Sequence, residues 1–84
     1  MFVSFEDLRE VIAQQFERDS DSITMDTAFQ EDLDADSLDM ADLYIELSDQ
    51  LGIPELAEIE YEEAEALKTV GDLYQYIQEH QPKG

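Results

Sequence analysis

The sequence predicts an all-α fold, a small four-helix bundle with three longer helices and one short helix. Three observations lead to it: apolar residues recur at helical spacing, residues that favour helix starts precede those segments, and no strand-like alternation stands out. The 84 residues suffice for one small domain, and an apolar content of 43% is too high for a disordered acidic tail. We expect a single domain over residues 1–84, with residues 81–84 as a frayed tail.

The first helix is predicted to begin after Ser4 and to end near Arg18. Ser4 is a favoured N-cap, and Asp7 stands three residues later in the position of a capping box. Apolar residues follow at helical spacing, namely Phe5, Leu8, Val11, Ile12 and Phe16. In the long polar stretch that comes next, three apolar residues are expected to close the end of the core: Ile23, Met25 and Phe29.

The second helix is predicted to begin at Asp36 or Ser37 and to stop before Gly52, because glycine favours a C-terminal cap and Pro54 cannot continue the helix. A connection over residues 53–59 leads to a short helix over residues 61–67. Thr69 is then expected to cap a last helix with four apolar residues on one side, Val70, Leu73, Tyr74 and Ile77.

The second predicted helix has three kinds of side when its residues are placed at about 100° each. A broad apolar stripe suited to the core contains Met40, Leu43, Tyr44, Leu47 and Leu51. A second, narrower apolar stripe contains Leu38, Ala41 and Ile45. An acidic stripe beside it contains Asp39, Asp42, Glu46 and Asp49. The last two stripes together suit a docking surface for a basic, partly apolar partner. The alternative is a solvated face on which a neighbouring loop covers Leu38 and Ile45.

The charge of the chain limits its partners. There are 23 acidic residues and 4 basic residues, for a formal net charge of −19. Binding to a nucleic-acid backbone or to an anionic membrane surface is disfavoured, since both need basic residues. The expected partners are proteins with basic patches, or cations. The absence of cysteine excludes disulfides and thiolate metal sites. Neither a signal peptide nor a segment able to insert into a membrane is visible, which leads us to expect a cytoplasmic protein.

Ser37 lies in the acidic run EDLDADSLD, residues 31–39, at the start of the second predicted helix. Catalysis by Ser37 is disfavoured, because a nucleophilic serine needs an adjacent base and His80, the sole histidine, lies near the C-terminus. The arrangement suits a hydroxyl that another enzyme modifies, although Ser37 as a simple helix cap is an alternative.

The same run partly matches a calcium-binding EF-hand loop. Asp32, Asp34 and Asp36 match the first positions of an EF-hand loop, but Ser37 and Leu43 stand where that loop needs glycine and glutamate. No specific metal site is expected.

The run resembles the prosthetic-group attachment site of the acyl carrier protein family. The resemblance covers nearly the whole chain and is strongest at residues 29–33 (FQEDL) and 35–39 (ADSLD). Further similarity lies at Ile59, at residues 62–65 (EEAE) and at Thr69-Val70. It implies a carrier rather than an enzyme, with 4'-phosphopantetheine from coenzyme A attached to Ser37 and acyl groups held as thioesters on the thiol of the arm.

The resemblance also implies two sets of residues. The set that would bind a phosphopantetheinyl transferase, ketosynthases and other acyl-processing enzymes contains Asp36, Leu38, Asp39, Asp42, Ile45, Glu46 and Asp49. The set that would line an acyl pocket contains Leu47, Ile59, Ala64 and Leu67. A monomer serving fatty acid or related lipid biosynthesis is expected.

Three departures from the family pattern favour a specialised carrier. Asp34 stands where glycine is common, the connection around residues 53–56 looks long, and Tyr44 and Tyr61 are bulky where they border the expected pocket. A carrier for a polyketide-type pathway is therefore one alternative. Alternatives of other classes are an acidic interaction protein that mimics nucleic acid without a prosthetic group, and a divalent-ion buffer.

Overall fold

The computed structural model describes residues 3–80 and places five α-helices and two 3-10 helices in them. The α-helices are α1 (Phe5–Phe16), α2 (Phe29–Asp32), α3 (Ser37–Leu51), α4 (Tyr61–Ala66) and α5 (Val70–Glu79). The 3-10 helices are Ser20–Ser22 and Pro54–Glu58. The three long helices and the short α4 confirm the predicted bundle. The predicted tail, residues 81–84, lies outside the described residues.

Each long helix begins with a capping box, in which the N-cap side chain and an aspartate three residues later bind each other's backbone N–H. The pairs are Ser4 with Asp7, Asp36 with Asp39, and Thr69 with Asp72. Local sequence therefore determines where these helices start, and the predicted caps at Ser4 and Thr69 are confirmed.

The helix ends are partly as predicted. Gly52 ends α3 with a φ of 68°, in the left-handed region that glycine enters without strain. The first helix ends at Phe16, slightly before the predicted Arg18, because Glu17 adopts a φ of 55° and its N–H bonds back to the last turn. Since glutamate rarely adopts this conformation, nothing in the local sequence indicates the stop.

The core forms where α1, α3 and α5 meet, closed at one end by the 3-10 helix Pro54–Glu58. Its fully buried large side chains are Leu8, Ile12, Ile23, Leu43, Leu47, Ile53, Leu56, Val70, Leu73 and Ile77. In contrast, α4 contributes no fully buried residue. The three long helices thus form the packed body, and α4 lies on it.

The segment before α3 contains the main departure from the predicted fold. A one-turn helix, α2, forms within the expected loop and buries Phe29, whereas Met25 is exposed and does not close the core. An isolated antiparallel bridge joins Ala28 to Thr69, and the Phe29 N–H donates to the Lys68 carbonyl at 3.0 Å. These contacts join parts of the chain far apart in sequence, so local patterns do not predict them.

A close approach of two backbones holds the same segment against α5. The Gly71 N–H donates to the Met25 carbonyl at 2.8 Å, and a Cβ on Gly71 would lie only 2.9 Å from that oxygen. Glycine is therefore needed at this contact. The segment that leads to Ser37 is in this way tied to the start of the last helix. Within residues 3–80, no helix has both the length and the apolar character needed to span a membrane.

Candidate functional site

Ser37 is the first residue of α3, and its side chain is exposed. The cap of this helix is supplied by Asp36: the Asp39 N–H donates to Asp36 Oδ1 at 2.9 Å, and the Asp36 N–H donates to Asp39 Oδ2 at 3.1 Å. Because Asp36 satisfies the helix start, the Ser37 hydroxyl is not the N-cap. The interpretation of Ser37 as a simple cap is therefore wrong.

The turn before Ser37 is fixed by backbone hydrogen bonds. Asp34 adopts a φ of 55°, a left-handed conformation that aspartate tolerates better than most residues. Next to it, Ala35 is buried, and its N–H donates to the Phe29 carbonyl at 2.9 Å. Asp32 Oδ2 accepts from the Ala28 N–H at 2.7 Å. The chain thus turns sharply and presents Ser37 at the surface from a well-anchored base.

The outward side of α3 carries its second apolar stripe and its acidic stripe. The side chain of Leu38 is 76% exposed and that of Ile45 is 57% exposed. The suggestion that a loop covers Leu38 and Ile45 is therefore wrong. The acidic residues of the expected partner face are exposed, except for the half-buried Glu46: Asp36, Asp39, Asp42 and Asp49. Charge and apolar surface thus stand side by side on one helix, starting at Ser37.

A cleft of about 1100 Å³ opens next to Ser37, between α3, the 3-10 helix Pro54–Glu58 and α4. Three of the four residues expected in an acyl pocket, Ile59, Ala64 and Leu67, line this cleft. Leu47, the fourth, is fully buried in the core and is not part of the wall. Further apolar residues in the cleft wall, outside the expected pocket set, are Phe29, Ala35, Met40, Ala41, Ile45, Leu56, Ala57 and Ala66. They come from segments whose convergence depends on tertiary packing.

Two tyrosines connect α4 to the packed body. The Tyr44 hydroxyl on α3 donates to the Ala64 carbonyl at 3.5 Å, at the long limit for a hydrogen bond. The Tyr76 hydroxyl on α5 donates to Glu63 Oε2 at 3.1 Å. Burial raises the pKa of Tyr44 to about 12, so its hydroxyl keeps its proton and remains a donor even at pH values where an exposed tyrosine ionises. Because α4 buries no residue fully, such contacts matter for its position.

The other predicted chemical groups are engaged elsewhere. His80 caps the end of α5, where its Nδ1 lies 2.8 Å from the Tyr76 carbonyl oxygen and its ring stacks on Tyr76. His80 thus interacts with the end of α5, far in sequence from Ser37. Residues 3–80 contain no group of three or more His, Cys, Asp or Glu side chains that could hold a metal ion. Of the EF-hand-like acids, Asp32 and Asp36 accept backbone hydrogen bonds.

Comparison with known families identifies the type of domain. A family model described as "Phosphopantetheine attachment site" matches residues 6–77, most of the chain. A domain of this class carries a phosphopantetheine arm on a compact helical body.

Similar curated proteins are named "Acyl carrier protein". That of Lactobacillus acidophilus is 48% identical over 77 residues, which cover 92% of this chain and 91% of the relative. That of Lactobacillus johnsonii is 44% identical over 77 residues, which again cover 92% of this chain and 91% of the relative. That of Clostridium perfringens is 44% identical over 79 residues, which cover 94% of this chain and 99% of the relative. The chain therefore belongs to the acyl carrier protein family, and its cofactor is 4'-phosphopantetheine.

The site suits this group. The Ser37 hydroxyl is exposed and is not used as the N-cap, and the cleft that begins at Ser37 has a largely apolar wall. When bound, phosphopantetheine supplies a terminal thiol that holds acyl groups as thioesters. The chain itself offers an exposed hydroxyl at the start of α3, a charged surface and a cleft beside them.

Proposed function

We propose that this protein carries acyl intermediates of fatty acid biosynthesis as thioesters on a phosphopantetheine arm attached to Ser37. The observation that carries the proposal is an exposed serine at the start of α3 whose capping role is taken by its neighbour Asp36. Of the five serines in the chain, Ser37 also lies within the ADSLD segment that resembles the family's attachment motif. We infer a single carrier domain over residues 1–84.

The partner face would be the outward side of α3. It begins with Asp36, Leu38 and Asp39, and continues through Asp42, Ile45, Glu46 and Asp49. Its carboxylates would attract a phosphopantetheinyl transferase, ketosynthases and other acyl-processing enzymes through basic patches, and its exposed leucine and isoleucine would orient them. The same charge disfavours nucleic acid as a partner.

Partner enzymes would supply the catalysis. The carboxylates nearest in sequence to Ser37, those of Asp36 and Asp39, accept backbone N–H groups in the capping box. A serine nucleophile needs an oriented base, and His80 is bound to the end of α5. We therefore propose a monomeric, cytoplasmic carrier that other enzymes modify and load, and that has no catalytic activity of its own.

The cleft would shelter the acyl chain. Ile59, Ala64 and Leu67 lie in its wall, and polar residues including Gln30, Asp36 and Lys68 also contribute to it. An apolar chain placed there leaves water, which stabilises it by roughly 0.8 kcal/mol for each buried methylene. Leu47 would act behind the wall, as part of the core.

Modification at Ser37 is tested by intact mass after incubation with coenzyme A and a promiscuous phosphopantetheinyl transferase. We expect one phosphopantetheine-sized increase in the wild-type protein and none in Ser37→Ala. Ser48→Ala is the matched control, because Ser48 lies on the same helix but donates to the Ile45 carbonyl at 2.7 Å. No increase in a folded protein that is not already modified would contradict the proposal.

The pathway needs a separate test. The holo protein is charged with a malonyl group and offered to a fatty-acid ketosynthase and to a polyketide ketosynthase. Elongation by the first in preference to the second is expected. The opposite preference would assign the carrier to a specialised pathway, the alternative raised by Asp34, Tyr44 and Tyr61.

A further inference from the structure

We propose that the Tyr44 ring sets how far an acyl chain can enter the cleft, and so determines which chain lengths this carrier shelters. This inference rests on the proposed function, because the acyl chain is brought to the cleft by a phosphopantetheine arm attached at Ser37. It goes beyond that function by assigning Tyr44 the role of limiting the length of the acyl chain that the cleft can hold.

The positions of Ser37 and Tyr44 on α3 suggest the path. They are seven residues apart, which is about two helical turns, or roughly 10 Å along the axis. Seven residues at about 100° each also bring Tyr44 back to nearly the same side of the helix as Ser37. Both residues line the cleft, together with Met40 and Ala41 between them. A chain that entered beside Ser37 and followed α3 inward would meet the Tyr44 side chain.

The Tyr44 side chain crosses the cleft. Its backbone belongs to α3, and its hydroxyl reaches the Ala64 carbonyl of α4 at 3.5 Å. Only 4% of Tyr44 is exposed, so the ring is held between the two helices and does not swing into solvent. A rigid aromatic ring in this position obstructs the path between α3 and α4.

Beyond Tyr44 there is packed core. Leu47 lies one turn further along α3, is fully buried and is absent from the cleft wall. Leu43 is also fully buried. Among the α3 residues, Tyr44 and the adjacent, mostly exposed Ile45 are the last that line the cleft. A smaller side chain at position 44 would open space toward Leu47.

The experiment uses the whole chain loaded at Ser37 with saturated acyl groups of increasing length, two carbons at a time. A promiscuous transferase and the matching acyl-coenzyme A supply each one, and intact mass confirms the loading. The rate of thioester cleavage by hydroxylamine then reports how well each chain is sheltered. In the wild-type protein we expect cleavage to slow with length up to a limit, beyond which added carbons give no further protection.

Tyr44→Leu should move that limit to longer chains. Each additional two-carbon step that enters should slow cleavage by up to roughly fifteenfold, since each buried methylene shifts the equilibrium toward the sheltered chain by about fourfold. Tyr44→Met is the second variant in case the leucine variant does not fold, because methionine adapts to irregular space. Melting curves establish that each variant is folded.

Two controls separate the ring from the hydrogen bond. Tyr44→Phe keeps the ring and should keep the wild-type limit. Tyr76→Phe removes the other tyrosine contact to α4, the hydrogen bond to Glu63, and should also keep it. An unchanged limit in folded Tyr44→Leu and Tyr44→Met would overturn the inference. The inference would also be overturned if Tyr76→Phe moved the chain-length limit as far as Tyr44→Leu does, because loosening of α4 would then explain both changes. Failure to load at Ser37 would instead contradict the proposed function.

Discussion

The two sides of α3 contain similar residues in opposite environments. On the inward side Leu43, Tyr44 and Leu47 are buried, whereas on the outward side Leu38 and Ile45 are mostly exposed beside a row of carboxylates. Burying a leucine or isoleucine side chain stabilises a fold by roughly 1.5–3 kcal/mol, which the outward residues largely forgo. The inward side of α3 therefore holds the domain together, whereas the outward side leaves apolar and charged groups in solvent, as a docking surface requires.

The largest loss of stability is expected from a substitution on the inward side of α3. Leu47→Ala should lower the free energy of unfolding by about 2–5 kcal/mol, because it leaves a cavity in a fully buried position. Leu38→Ala should change it by no more than about 0.5 kcal/mol, because Leu38 is mostly exposed. Urea denaturation of both variants measures the contrast. Equal losses would contradict the division between the two sides.

A smaller change in stability is expected from the buried Tyr44 hydroxyl on the inward side of α3, and it depends on pH. The pKa of Tyr44 is about 12 in the folded protein, compared with about 10 in an unfolded chain. The stability linked to this shift, on the order of 2–3 kcal/mol, is present below pH 10 and is lost as the pH rises through 12. Tyr44→Phe should therefore lose less stability than the wild type over that range in alkaline urea denaturation.

The alkaline test has an internal reference. A hydrogen bond and Coulombic repulsion from Glu65 raise the pKa of Tyr61. Burial together with Glu63 raises the pKa of Tyr76. Part of the loss of stability at alkaline pH should therefore persist in Tyr44→Phe. Identical pH profiles for the two proteins would show that Tyr44 does not titrate as a buried group.

A third prediction compares two adjacent residues at the start of α3. Asp36→Ala should cost about 1 kcal/mol, because it removes the side chain that caps the helix. Ser37→Ala should cost less, because Ser37 is exposed and is not the cap. Thermal melting of the two variants decides the order. If Ser37→Ala were the more damaging change, Ser37 would have a structural role that its environment does not indicate.

The contributions per interaction are smallest in the acidic stripe. Asp42→Asn combined with Glu46→Gln removes like-charge neighbours on the helix and should stabilise the protein by roughly 0.2–0.5 kcal/mol for each pair. The same change should slow modification by a transferase at low salt, since fewer carboxylates attract the partner. Stopped-flow or quenched loading assays measure the rate. Unchanged rates at low ionic strength would argue against a docking role for the stripe.

Much of the frame was predictable from the sequence. Capping residues and helical spacing are local features, so the starts of α1, α3 and α5 and the stop at Gly52 were predicted correctly. The exposed position of Ser37 also follows from a local pattern. These features depend on residues a few positions apart, which a single sequence displays directly.

The cleft was less predictable, because its wall depends on contacts between distant segments. The family resemblance placed Leu47 in the wall, but Leu47 is fully buried in the core, and Tyr44, about one turn earlier on α3, lines the cleft. The short helix α2 depends on bonds to residues 68–71, and the stop of α1 depends on a strained Glu17. None of these has a local pattern that would have revealed it.

The most direct test of the account is peptide mapping of Ser37 in protein purified from its own cells. We expect a 4'-phosphopantetheine ester on the peptide that contains Ser37, with fatty-acyl thioesters in part of the sample. The peptide that contains Ser48 should be unmodified. Folded protein with an unmodified Ser37, or with the ester on another serine, would contradict the central claim that α3 presents Ser37 for attachment of the arm.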